Sequence, residues 1–152
     1  MAHRDGDGWV QCRCGRKHWG LHGAAGLLLT RDKTLLLQHR SSWVHNGDTW
    51  GIPGGARDSH ESVSEAAIRE AVEETGIEPQ FVHIRATHCA DHLDWRYDTV
   101  IAHASTELVP HEMNNESQEL RWVNWSNIDS MLLHPSFALS WPEVRKILER
   151  DF

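Results

Sequence analysis

The chain has little cysteine, no long hydrophobic run and no long run of basic residues, and each shortage closes off a class of protein. With three cysteines, at least one thiol stays unpaired within the chain. That argues against a disulfide-stapled secreted scaffold and for a reducing cytoplasm. The most apolar stretch, Gly23-Ala24-Ala25-Gly26-Leu27-Leu28-Leu29, is far too short to span a bilayer. The polar start Met1-Ala2-His3-Arg4-Asp5 does not read as a signal peptide, so no membrane partner is expected. Lysine and arginine form no long run, and the net charge is −7, which disfavours a basic face for duplex nucleic acid. Internal repeats and low-complexity tracts are also missing. What remains is 152 residues, 39% hydrophobic and 24% charged, enough for one globular domain with its own core.

Hydrophobic patterning predicts an α/β chain. Residues 22–30 and 33–39 read as a hairpin turning at Arg31-Asp32. Leu27-Leu28-Leu29 and Leu35-Leu36-Leu37 are unbroken apolar runs, the mark of strands covered on both faces. A polar loop follows over 41–49. Further strands are expected over 80–87, 99–104 and 121–123, with a short helix over 126–133. A longer helix over 135–150 has Leu139, Val144, Ile147 and Leu148 available for packing.

The chemistry concentrates between Gly55 and Ile77. Trp50-Gly51-Ile52-Pro53-Gly54-Gly55 reads as a strand end entering a turn, and the residues from about Glu61 to Thr75 as a helix. Ser59 is a plausible N-cap and Gly76 a plausible stop. Val63, Ala66, Ala67 and Ala71 make one apolar stripe, small enough for close approach to a sheet. Glu73 and Glu74 follow Glu70 by three and four residues, so the three carboxylates project from neighbouring points. Like charges at this spacing repel by roughly 0.2–0.5 kcal/mol per pair. Such a face is either simply solvated or neutralised by a cation, and hard oxygen ligands suit Mg²⁺ or Mn²⁺. Arg69 is placed to brace Glu65 or Glu73.

The run Gly55, five residues, Glu61, seven residues, Arg69-Glu70-Ala71-Val72-Glu73-Glu74-Thr75-Gly76-Ile77 resembles the Nudix box. Only Ala71 departs from it, a smaller side chain in an aliphatic slot. The resemblance covers the chain from about His22 to Val123 and implies a Nudix-type α/β/α sandwich with a mixed β-sheet and a catalytic loop–helix–loop. It divides the chain into an N-terminal extension, 1–21, and a Nudix hydrolase domain, 22–152. It also implies metal-dependent hydrolysis of a phosphoanhydride in a nucleoside diphosphate-linked substrate. In the MutT-like branch the substrate is a (d)NTP or oxidised dNTP, giving NMP and pyrophosphate. ADP-ribose or another such derivative is the alternative, and a non-catalytic nucleotide sensor is a third reading that the intact glutamates oppose.

By the same resemblance, Gly55 (through its carbonyl), Glu70, Glu73 and Glu74 match metal ligands. Arg69 matches the arginine that orients them, and Glu61 a supporting carboxylate. A further acidic ligand is expected from the loop before the strand at 121–123, with Glu116 first choice and Glu119 second. The expected catalytic group is Glu70, Glu73, Arg69 and Glu116, and the box leaves open which glutamate is the base.

Outside the box, Trp95 or Tyr97 is a candidate to stack on a nucleobase, with core packing as the alternative. Arg40 could contact phosphate from a strand end. Residues 133–137 could close one side of the cleft. His88 and His92 as a metal pair are weaker than a reading as loop histidines. Cys12, Cys14, His18 and His22 could hold Zn²⁺. One residue between the cysteines is tighter than the usual two to four, which favours an extension packed through buried thiols and Trp19. A homodimer is compatible with everything above.

Overall fold

The computed structural model describes residues 4–111 and 117–152. Nine strands are present among them: β1 Trp9–Gln11, β2 Lys17–Trp19, β3 Ala24–Arg31, β4 Thr34–Arg40, β5 Trp50–Gly51, β6 Gly54–Ala56, β7 Val82–Asp91, β8 Arg96–Ala104 and β9 Ser117–Asn124. The helices are α1 Val63–Thr75 and α2 Pro135–Asp151, with short 3₁₀ turns at Pro79–Phe81 and Trp125–Ser130. The main sheet runs β5-β4-β3-β8-β7, and β6 pairs with β3 and β9 with β4. Only β3–β8 is parallel among the pairings of this sheet, so the sheet is mixed and the architecture is α/β. β1 and β2 form a separate antiparallel ribbon.

The two leucine runs do what their lack of alternation predicts. Leu27, Leu29 and Leu36 join Ala66, Ala67 and Ala71 of α1 in one core. Leu28, Leu35 and Leu37 point the other way and pack with Phe137, Trp141, Val144 and Leu148 of α2. Successive strand residues face opposite sides, so a sheet covered on both faces buries every residue of the run. The expected packing of α2 holds at Val144, Ile147 and Leu148 and fails at Leu139. Leu139 is 58% exposed, while Phe137 and Trp141 are buried, because the larger aromatic surface wins the core-facing side.

Two local expectations change. The N-cap of α1 is Ser62 rather than Ser59. Ser62 Oγ accepts from the Glu65 N–H at 3.1 Å, and Glu65 Oε1 accepts from the Ser62 N–H at 2.8 Å, a reciprocal capping box. Ser59 instead donates its hydroxyl and backbone N–H to Asp5. The β3–β4 turn has its left-handed residues at Asp32 and Lys33, one place later than Arg31-Asp32. At the far end of α1, Gly76 stops the helix at φ 64° with its N–H bound to the Val72 carbonyl.

Candidate active site

α1 lies across β3 with its C-terminal half beside the β5–β6 turn, and this brings the box residues together. Gln38, the last buried residue of β4's apolar run, donates from Nε2 to Glu74 Oε1 at 2.8 Å. The Gly54 N–H reaches Glu74 Oε2 at 3.2 Å. Glu70 packs against bare backbone: a Cβ on Gly55 would lie 2.6 Å from its carboxyl group. Gly55 lies in β6 without a positive φ, so the glycine there is a steric requirement of the carboxylate.

Arg69 organises the other side. Its Nε and Nη2 grip both oxygens of Glu61 at 2.6 and 2.8 Å, and Nη2 also donates to the Ala56 carbonyl at 3.1 Å. Nη1 reaches Glu70 at 2.8 Å and Glu73 at 3.6 Å. The two-pronged bond to Glu61 is the strong, directional form of an arginine–carboxylate pair. It holds the Glu61 carboxyl below the usual carboxylate range, against the opposing effect of burial. Glu61 is thus spent on fixing Arg69 and on accepting the Asp58 N–H at 2.9 Å.

Glu70 and Glu74 are pushed the opposite way. Burial raises both carboxyls, Glu74 strongly; the charge of Glu70 raises Glu74 further, and that of Glu73 raises Glu70. Desolvation and a close like charge both favour the protonated form. The helix adds to this: its last turn carries no basic residue and its C-terminal dipole is negative. A partly buried acidic pair with hard oxygen donors, a negative helix end and a glycine backbone alongside fits a divalent metal ion of the Mg²⁺ type.

The remaining candidates are placed as follows. Glu73 turns from that pair toward Arg69 and toward Arg4, whose Nη2 lies 3.1 Å away. Glu116 lies outside the described residues. Glu119 sits on β9 opposite His39 and pairs with Arg121 at 2.9 Å. Arg40 stands at the edge of the site, where its field acts on Glu74, Tyr97 and His134, and its guanidinium donates to the His45 carbonyl at 2.9 and 3.1 Å. Tyr97 packs by Ile52 and Gly26, and burial followed by the charge of Glu74 raises its phenol. Trp95 is 7% exposed and lies flat on His18, rings 4.2 Å apart. That face is taken, so of the two stacking candidates Tyr97 is the one beside the carboxylates. Residues 132–134 pair with Trp50 and carry His134 to Arg40. His88 sits opposite Thr99 on the sheet while His92 lies beside His18, so the two histidines serve different places.

Sequence reasoning overlooked three contributors. Gln38 carried a signal: it is a polar residue ending a run of buried leucines. Asp58 and Arg4 carried none. Asp58 is buried, accepting the Gly6 N–H at 3.1 Å and pairing with Arg4 at 2.9 Å.

The NUDIX domain model matches residues 20–145. The chain is 46% identical over 152 residues to "Putative 8-oxo-dGTP diphosphatase 3" of Mycobacterium tuberculosis, covering 93% of this chain and 70% of that protein. It is 40% identical to a nucleoside triphosphate pyrophosphatase/Nudix hydrolase fusion protein of Bifidobacterium longum, covering 97% of this chain and 33% of that one. Among solved structures, RenU, a Nudix hydrolase from M. smegmatis, superposes with a TM-score of 0.83 at 42% identity, covering 97% of this chain and 98% of that chain. A C. elegans Ap4A hydrolase shares the fold at a TM-score of 0.68 and 21% identity, covering 83% of this chain and 98% of that one. Box, fold and relatives agree: this chain is a member of the Nudix hydrolase family.

Proposed function

We propose that the chain hydrolyses a phosphoanhydride of a nucleoside triphosphate, with (d)NTPs and oxidised dNTPs such as 8-oxo-dGTP as the preferred class, releasing NMP and pyrophosphate. The observation that carries the reading is the buried Glu70–Glu74 pair, with Glu74 held by Gln38 and the Gly54 N–H and both carboxyls raised in pKa by burial. The 46% identical relative, named for 8-oxo-dGTP, supports the choice of substrate.

Glu70, Glu74 and Glu73, with the Gly55 carbonyl and Glu116, would hold Mg²⁺ or Mn²⁺. Such an ion, when bound, supplies charge neutralisation at the phosphoryl oxygens and acidifies water. The chain's own part is positional. Arg69 fixes Glu70 while anchored on Glu61 and Ala56, Gln38 fixes Glu74, and Arg40 offers positive charge at the rim. Tyr97 and the 132–134 segment would bound the space for the nucleoside. The reducing interior of the cell suits the three thiols, and residues 1–21 are read as an extension to the domain.

Product analysis on dGTP, 8-oxo-dGTP and ADP-ribose, each with Mg²⁺ and with Mn²⁺, tests this. NMP plus pyrophosphate from the triphosphates is the expected result. AMP plus ribose phosphate from ADP-ribose alone would move the chain to the other substrate branch, and no turnover of any of the three would overturn the proposal.

A further inference from the structure

We infer that the N-terminal ribbon carries a second metal site, a Zn²⁺ site built from Cys12 Sγ, Cys14 Sγ and His18 Nε2 and separate from the acidic box. The three ligand atoms all lie within 4.8 Å of one another, and Cys14 Sγ is 3.1 Å from His18 Nε2. Around a tetrahedral zinc with bonds of about 2.0–2.3 Å, neighbouring ligand atoms lie roughly 3.5–3.8 Å apart, so only sub-ångström to one-ångström adjustments are needed. The tight cysteine spacing is no obstacle. The chain reverses directly after Cys14, with the Gly15 N–H bound to the Cys12 carbonyl, Gly15 at φ 95° and the Cys12 N–H bound to Arg16. This turn returns His18 to the cysteines on the paired strand.

The surroundings point the same way. His18 is locked by its parallel stack on the buried Trp95, which leaves Nε2 aimed at Cys14. Cys12 is buried and receives the Cys14 N–H at 3.5 Å, the kind of backbone bond that favours thiolate over thiol. Its Sγ–H now points at the His92 carbonyl, 2.6 Å away, a contact that gives way when the proton leaves on metal binding. His22, the fourth ligand expected from sequence, does not join: it is exposed beyond Gly20 with its carbonyl held by Arg57. His92 stands beside His18, ring to ring 4.9 Å away; its nitrogens are not among the atoms that lie within 4.8 Å of one another, so its ring would have to swing in to complete the tetrahedron.

The ribbon also needs a staple. Each strand has three residues, and Trp9 and Trp19 meet edge to face while each stays 44% exposed. A two-stranded hairpin is marginal in water by itself, and metal–thiolate bonds substitute for a missing core. Zinc here would fix the ribbon to the 92–95 turn that leads into β8, which Arg13 already touches through Asp94 at 2.9 Å.

The test is metal analysis and Co²⁺ titration of the full chain, purified under reducing conditions. About one zinc per chain is expected, together with an intense thiolate-to-cobalt absorption on Co²⁺ addition. Cys14→Ser and His18→Ala should each lower retained zinc more than tenfold, whereas Glu70→Gln should leave it unchanged, separating this site from the box. His92→Ala should weaken affinity about tenfold, and an unchanged affinity would remove His92 from the site. If the wild-type chain shows no cobalt–thiolate absorption, or holds no more zinc than the Cys12→Ser/Cys14→Ser double variant, the site does not exist. A Cys12–Cys14 disulfide that persists under reductant would overturn it equally.

Discussion

Gln38 on β4 and Glu74 on α1 meet at 2.8 Å across 36 residues of sequence, so the sheet itself sets the position of a carboxylate on the helix. An amide can hold either charge state of that carboxyl, and it does so from a buried, rigid strand. Gln38→Leu should preserve the fold, since the position faces the core side of an apolar run. Turnover should fall about 10–100-fold, the usual cost of losing a group that orients a metal ligand. Steady-state kinetics across a Mg²⁺ series would show the loss; activity within twofold of wild type would mean that Glu74 needs no such support.

Glu74→Gln separates stability from catalysis. In the metal-free protein this substitution removes a carboxyl disfavoured by burial and by the charge of Glu70 from a negative helix end. The variant should melt higher than wild type without metal, by about 2–4 °C for each kcal/mol relieved. It should also lose most of the Mg²⁺-induced rise in Tm and orders of magnitude in turnover. A lower metal-free Tm with normal turnover would contradict both halves.

Gly55→Ala makes a narrower prediction. The added Cβ would meet the Glu70 carboxyl group at 2.6 Å, and the yielding partner is the end of a flexible side chain rather than backbone. The protein should therefore fold with a small loss, about 1 kcal/mol or less, while displacement of Glu70 cuts turnover at least tenfold. Circular dichroism melts and kinetics on one sample distinguish this from a general folding defect.

His134 supplies a pH signature away from the box. Burial, reinforced by the charge of Arg40, lowers its pKa to about 4, and its Nδ1 accepts the Ser136 N–H at the start of α2, which the protonated ring could not do. The unfolded chain takes up this proton near pH 6.5 and the folded chain only near pH 4. Its contribution to stability is thus complete above about pH 6.5 and is lost as pH falls toward 4. The slope of Tm over that window should flatten in His134→Gln, by an amount corresponding to about 1–3 kcal/mol at the acid end. Superimposable slopes would show that the ring titrates normally.

Much of this was readable in order along the chain. Leu27-Leu28-Leu29 announced a strand buried on both faces because each side chain alternates sides whatever its partners. Glu70 and Glu74 announced a shared face because four residues make about one helical turn. Boundaries were less secure where two local signals competed: Ser59 and Ser62 both precede the helix, and the better cap is the one with a glutamate three residues on. The α2 packing was misjudged at Leu139 because aliphatic spacing was weighed above the aromatic Phe137 and Trp141.

What the sequence by itself determined is the local chemistry: the glycine turn, the capped helix, the spacing of its carboxylates and the family they belong to. All of these depend on residues within a few turns of one another, where backbone geometry fixes distance. The tertiary structure alone decided which groups answer those carboxylates: Gln38 for Glu74, Arg4 for Glu73 and Asp58. It also turned Trp95 to His18 and left Tyr97 beside Glu74. Those pairings follow from strand register and from how one layer sits on another, and no periodicity in the chain encodes a distance between residues that only packing brings together.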